Sequence, residues 1–353
     1  MTPKTVLIYL GHPAHFHLFK VVIKNLEAKS IKVVIAIKTK DVLEELLISS
    51  GLKYVNIAPV NKKKAGTKGY VAFAKRLFNL GKLIRKTKPG LMMGTSPEIA
   101  VLGKIFGVIS HVYSEDDLEV ISSFAKVAGP FATNFICPNC CSAWKWNDKK
   151  IGHDSYHELA YLHPNHFTPD PEKVKSIFNL NERNFILRFV QLTAYHDIGK
   201  SGITTELAQK IIDILSPNGK IFITSERELE PQFEKYRIRI PPAEIHHALY
   251  YADMCIGDSQ TMTAEAAVLG TPAIRFNDFV GVLAYLEELE HKYHLTYGFK
   301  TDKPDAMFAK IKELVETPNL KQEWAKRRAK MLTERIDFAQ WMTNLVETTL
   351  NKK

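Results

Sequence analysis

Residues 253–276 read Asp253-Met-Cys-Ile-Gly-Asp-Ser-Gln-Thr-Met-Thr-Ala-Glu-Ala-Ala-Val-Leu-Gly-Thr-Pro-Ala-Ile-Arg-Phe276. The pattern predicts a short apolar strand over Met254–Ile256, a hydroxyl-rich turn from Gly257 to Thr263, a helix from Thr263 to Leu269, and a second strand after the Gly-Thr-Pro stop. Gly257 permits a tight turn, and Asp258 and Ser259 are good N-cap residues. Ser259, Thr261 and Thr263, with Gln260 between them, crowd a helix N-terminus, where unbonded amides and the helix dipole favour an anion. Glu265 lies far enough into the helix to reach back over that mouth. A diphosphate on the amides, with a carboxylate for ribose hydroxyls, matches this arrangement. An ordinary strand-to-helix turn with a capping Asp matches it as well.

Outward from this stretch the chain alternates strands and helices. Val6–Leu10, Ile31–Ile37, Tyr54–Ile57, Leu91–Met93, Ser110–Tyr113 and Asn134–Cys137 read as strands of a first half, with helices between them. A polar, proline-bearing connection runs from His153 to Asp170. Phe185–Gln191 and Lys220–Thr224 then open a second series, with Arg237–Ile240 a further strand candidate, and helices fill most of 281–350. Alternation at this spacing predicts parallel, doubly wound sheets, whose ligands sit beyond the carboxyl ends of the strands. The expected division is 1–165 and 166–353, with the last helices candidates to return to the N-terminal domain.

The 353 residues suffice for two domains, each with its own core. No apolar run approaches the roughly 20 residues of a membrane span. The opening Val6–Leu10 is too short for a secretion signal. With four cysteines and no such signal, a reducing cytoplasm is expected. Net charge is +10, and ten Lys or Arg with no Asp or Glu lie between Lys62 and Lys88, so this stretch equals the whole excess. From Tyr70 to Leu83 apolar residues interleave with Lys75, Arg76 and Lys82. That is either an amphipathic helix suited to an anionic membrane surface or a sheet-covering helix with a solvated basic face. Nucleic acid is not an expected partner, because no stacking platform or reading motif accompanies the charge.

Three histidines, His12, His15 and His17, crowd the first strand-to-helix junction, where Pro13 suits a first helical position. No carboxylate joins them at metal-ligand spacing. A neutral imidazole there is a candidate general base, His15 before His12. Glu115, with Asp116 and Asp117, follows a strand end and reads as a base, an acceptor-hydroxyl ligand or a helix cap. Cys137-x2-Cys140-x12-His153-x3-His157 has zinc-finger spacing, but Lys150 stands where a finger needs a core leucine, and the spacing reads as coincidence. No metal or cofactor is expected.

The 253–276 stretch resembles the Asp-Ser-Gly-Gly-x-x-Glu-Glu…Gly-x-Pro signature of UDP-N-acetylglucosamine 2-epimerases and, more loosely, the donor site of GT-B glycosyltransferases. Asp258, Ser259, Glu265, Gly270 and Pro272 are in register, while Gln260, Thr261 and Ala264 replace Gly, Gly and the first Glu. Phe189-Val-Gln-Leu-Thr-Ala-Tyr-His-Asp-Ile-Gly-Lys200 is similar to the Thr-x-His-Arg-Arg-Glu-Asn segment of the same enzymes. His196 falls on the family histidine, and Lys200 with Ser201 stands in for the missing arginines on phosphate. Glu115 matches the position of a catalytic Glu, whereas Gly94-Thr95-Ser96 replaces a Gly-Asp-Thr turn. Together with Gly11-His-Pro-Ala-His-Phe16, Tyr156-His-Glu-Leu-Ala-Tyr-Leu-His-Pro164 and Ile186-Leu-Arg-Phe189, the chain resembles the GT-B-like domain of unknown function 354. The resemblance implies a GT-B fold, two Rossmann-like domains facing a cleft. It places the chain among 2-epimerases and nucleotide-sugar transferases without assigning a reaction. The reading taken first is a cytoplasmic glycosyltransferase that takes a UDP-linked sugar to a glycan or lipid-linked acceptor in surface polysaccharide synthesis, kept at the inner membrane face by the basic helix. The alternative it leaves open is a 2-epimerase. The catalytic candidates are then His15, His12, Glu115 and His196; the nucleotide-sugar ligands are Gly257, Asp258, Ser259, Gln260, Thr261, Thr263, Glu265 and Lys200.

Overall fold

The structure is a computed structural model that describes residues 4–59, 69–190 and 202–352. His196, Lys200 and Ser201 lie outside the described residues, as do Lys62, Lys63, Lys64 and Lys68 of the basic stretch. The chain divides into two units, residues 1–166 with 336–353, and residues 167–335.

In the first unit the strands are β1 (Thr5–Leu10), β2 (Lys32–Lys38), β3 (Tyr54–Ala58), β4 (Leu91–Gly94), β5 (Ile109–Tyr113), β6 (Asn134–Pro138) and β7 (Lys150–His153). They form one parallel sheet in the order β3-β2-β1-β4-β5-β6-β7. The helices are α1 (Pro13–Ala28), α2 (Leu43–Ser49), α3 (Gly69–Thr87), α4 (Pro97–Phe106) and α5 (Ser122–Ala128). β1 is buried at every position, the mark of a strand covered on both faces. The order runs outward from β1 to β3 on one side and from β4 to β7 on the other, so the winding reverses between β1 and β4.

The second unit holds β8 (Asn184–Phe189), α6 (Thr205–Leu215), β9 (Lys220–Ser225), α7 (Ile245–Tyr251), β10 (Met254–Gly257), α8 (Gln260–Leu269), β11 (Ala273–Phe276), α9 (Ala284–His291), β12 (Thr296–Phe299), α10 (Pro304–Glu316) and α11 (Leu320–Glu334). Its parallel sheet has the order β12-β11-β10-β8-β9, with the winding reversed between β8 and β10. The last helix, α12 (Phe338–Asn351), belongs to the first unit. It packs along α1, where Asn25 donates to the Thr343 hydroxyl at 3.2 Å and Lys29 pairs with Glu347 at 3.2 Å.

Three local expectations change. Arg237–Ile240 forms no strand and contributes only an isolated bridge from Arg237 to Ile223. β7 and β12 are further strands, β7 ending where the connection was expected to begin and β12 lying within 281–350, which helices otherwise mostly fill. Helix α8 starts at Gln260 rather than Thr263, because Ser259 alone takes the N-cap.

Candidate active site

In the second unit the turn after β10 sits at the winding reversal. A Cβ on Gly257 would lie 2.5 Å from the Arg188 carbonyl oxygen of β8, so only glycine lets the two strand ends close. Asp258 does not cap the helix. Its Oδ1 accepts from the Val190 amide at 2.8 Å and its Oδ2 from the Ile203 amide at 3.1 Å, so one carboxylate holds the backbone at Val190, after β8, and at Ile203, before α6. Burial raises the Asp258 carboxyl to about 6 despite those two bonds. Asn277 donates to the Asp258 carbonyl at 3.0 Å and fixes the turn from β11.

Ser259 is the N-cap, its Oγ accepting from the Met262 amide at 3.2 Å. Thr263 turns inward: its hydroxyl donates to the Ser259 carbonyl at 2.7 Å. Of the three hydroxyls expected on one anion, Thr263 therefore braces the turn, and Thr261 is exposed at the helix mouth. The amides of Gln260 and Thr261 belong to the first helical turn and have no carbonyl within the helix to bond. Glu265 is buried, and His246 of α7 lies 2.9 Å from its Oε1. Spacing alone gave no sign of that partner.

In the first unit His12 N-caps α1, its Nδ1 accepting from the Ala14 amide at 3.2 Å. The Gly11 amide donates to His15 Nδ1 at 3.0 Å, and the Thr95 hydroxyl lies 2.6 Å from Nε2. A neutral ring whose Nδ1 accepts carries its proton on Nε2, so His15 presents a donor to Thr95 and becomes a base only when the Gly11 bond opens. Burial, with His12, Lys38 and His157 nearby, holds its pKa well below the ordinary value. His17 is buried against Tyr161, ring centroids 5.3 Å apart, in a packing role.

Glu115 is buried beside His157, whose amide donates to its Oε1 at 2.6 Å. Burial, then the nearby Glu158 carboxylate, raises the Glu115 pKa well above the ordinary range, while burial pushes His157 down to about 3. Burial is the leading cause of both shifts, and it favours the acid form of Glu115 and the neutral form of His157. The zinc spacing is not gathered: Cys137 is buried in β6, while His153 stacks on Phe338 at 4.0 Å. Among the described residues no group of three or more His, Cys, Asp or Glu side chains is arranged to hold a metal.

Lys75 and Lys82 are exposed on α3 with Tyr70, Val71 and Phe78, but Arg76 is not on that face. It pairs through Nε with the buried Glu98 at 2.6 Å. Among the described residues no helix is long and apolar enough to cross a membrane.

Two parallel, doubly wound α/β units, each with one reversal of its winding, make this a GT-B fold. Residues 4–297 match the family described as Protein of unknown function (DUF354), and the chain belongs to that family. No curated protein matches it. Among solved structures it is similar to the UDP-GlcNAc 2-epimerase from Neisseria meningitidis bound to UDP-GlcNAc, at 13% identity over 99% of this chain and 100% of that one, with a TM-score of 0.67. An S. aureus MnaA–UDP co-structure gives 12% identity over 99% of this chain and 97% of that one, at 0.69. The spinosyn rhamnosyltransferase SpnG complexed with thymidine diphosphate gives 11% identity over 98% and 99%, at 0.63.

Proposed function

We propose that the protein is a glycosyltransferase that moves a sugar from a nucleoside-diphosphate sugar, UDP-linked in the first instance, to a glycan or lipid-linked acceptor in surface polysaccharide synthesis. The observation that carries this reading is the turn at the reversal of the second sheet. There the Gln260 and Thr261 amides, the Ser259 hydroxyl and the exposed Thr261 converge at a helix mouth, with Glu265 on the same helix. The like-folded proteins solved with UDP-GlcNAc, UDP and thymidine diphosphate support a nucleoside diphosphate as the ligand class. In this reading the diphosphate meets the helix mouth and Lys200, Glu265 takes the ribose, and His196 lies near the phosphates. Leaving-group charge is met by the helix dipole rather than a metal. The acceptor-side base of this reading is His15, once its Gly11 bond opens, or Glu115, once it gives up the proton that burial favours.

A 2-epimerase is the second reading, favoured by the register of Asp258, Ser259, Glu265, Gly270 and Pro272 with that family's signature. Products discriminate. Epimerisation changes the sugar without an acceptor, whereas transfer places it intact on one.

Calorimetric titration of UDP tests the donor site. Binding should weaken at least tenfold in Glu265→Ala and Glu265→Gln with the fold retained. Absence of binding to UDP and to every other nucleoside diphosphate would overturn both readings.

A further inference from the structure

The ends of β2, β1 and β4 are neighbours in the first sheet, and a niche forms over Gly11 after β1, between a group from the end of β2 and one from the turn after β4. Lys38 is the last residue of β2, Gly11 follows β1, and Ser96 follows β4. At Gly11 an added Cβ would lie 3.1 Å from Lys38 Cε, 3.7 Å from its Nζ and 3.4 Å from Ser96 Oγ, so cation and hydroxyl converge on the space a side chain would fill. Ser96 occupies the N-cap position of α4 yet its side chain makes no capping bond, although it is only 9% exposed. Among the described residues neither Ser96 Oγ nor Lys38 Nζ makes a side-chain hydrogen bond or ion pair. Glu98 lies near enough to favour the charged Lys38, but its direct ion pair is with Arg76, at 2.6 Å.

A half-buried ammonium without an ion pair of its own, beside a largely buried hydroxyl without a side-chain bond, presents a cation and a donor to one space, and an anion placed there would satisfy both. The mouths of α1 and α4 open onto the same strand ends, which adds two dipoles of the same sign. We propose that this niche binds a phosphate-type oxyanion carried by the second substrate, with Lys38 as counter-charge and Ser96 as hydroxyl donor. Lysine suits this ligand, since it pairs with phosphate as a point charge. Only the word "second" rests on the transferase reading; oxyanion binding in the first unit stands apart from the donor site.

The test uses the full chain with saturating UDP, so that the helix mouth of the second unit is occupied. Inorganic phosphate is titrated while the ring Hε1 resonances of His12 and His15, which flank the niche, are followed by NMR. A saturable shift is expected, at least tenfold weaker in Lys38→Met and at least fivefold weaker in Ser96→Ala. Gly11→Ala, which places a methyl where the groups converge, should weaken it similarly, with melting temperature confirming the fold of each variant. No saturable shift in the wild type, or equal affinity in Lys38→Met, would overturn the inference. Dodecyl phosphate and a hexose phosphate are then compared: tighter binding of the first identifies a lipid-linked source, and of the second a soluble one, either supporting the niche. UDP affinity of Lys38→Met, measured in parallel, should be unchanged. If UDP never binds while phosphate still shifts His12 and His15, the donor reading fails and the niche stands.

Discussion

Asp258 is a buried carboxylate whose two oxygens each hold a backbone amide, of Val190 and of Ile203. Asn in its place presents one acceptor, so one amide loses its bond, a cost of roughly 1–3 kcal/mol. Asp258→Asn should therefore lower stability by that amount in urea unfolding at pH 7. Its pH dependence has a definite sign. The folded carboxyl titrates at about 6 against an ordinary 3.8, so between these values the folded protein binds more protons than the unfolded chain. Stability contributed by this group is thus full below the lower value and is lost as pH rises through the upper one. The wild type should gain on Asp258→Asn as pH falls from 7 to 4.5; a constant gap would reject the assignment. His246 acts on the neighbouring carboxylate, fixing Glu265 at 2.9 Å. If Glu265 meets a ribose, His246→Ala should weaken UDP binding severalfold. His246→Gln, which keeps an amide donor there, should restore most of it, whereas a purely packing role would show no such rescue.

At the scale of elements, α3 carries its own prediction. Its exposed Tyr70, Val71 and Phe78 accompany Lys75 and Lys82, and only Leu80, Gly81 and Ile84 are fully buried. A basic residue near an anionic surface contributes about 1 kcal/mol, so Lys75→Glu with Lys82→Glu should weaken binding to phosphatidylserine vesicles by roughly thirtyfold or more. Cosedimentation reads this directly, and unchanged binding would leave α3 a sheet-covering helix. Contiguous features of this kind were legible in the sequence. Strand, Gly257, cap and helix follow one another within a few residues, and the apolar and basic positions of α3 repeat at helical spacing. What was not legible depends on distant partners. Arg76 looks like a surface cation until Glu98, 22 residues on, claims it. Lys150–His153 and Thr296–Phe299 are four residues each and carry no apolar run, so only pairing with β6 and β11 makes them strands. Arg237–Ile240 alternates like a strand but lacks a neighbour to pair with beyond one bridge. Lys38 and Ser96 meet only because β2, β1 and β4 are adjacent.

On the scale of the whole molecule the chain leaves the first unit after residue 166 and returns to it at 336. The first unit is thereby completed by α12, its last element in sequence, while the second lies within one continuous stretch. The anchor of the return is Phe338, fully buried, stacked 4.0 Å from His153 and parallel to the His157 ring at 5.7 Å. Asp337 caps α12 at its start, accepting from the Gln340 amide at 3.0 Å, and it also meets His166 at 2.8 Å, Asn165 at 2.9 Å and His163 at 4.0 Å. Truncating a buried Phe to Ala typically costs about 3–5 kcal/mol. Each kcal/mol displaces the melting of a unit this size by roughly 2–4 °C, so Phe338→Ala should lower one transition by about 10 °C. The two units have separate cores, so that loss should fall on the first alone. Scanning calorimetry should show one transition moved and one unmoved, with the UDP affinity of the second unit retained. A single transition that shifts as a whole would mean that the units melt together. In that case the return of α12 would stabilise the entire molecule rather than the first sheet alone, and in the proposed reading Phe338→Ala would weaken UDP binding near its melting range as well.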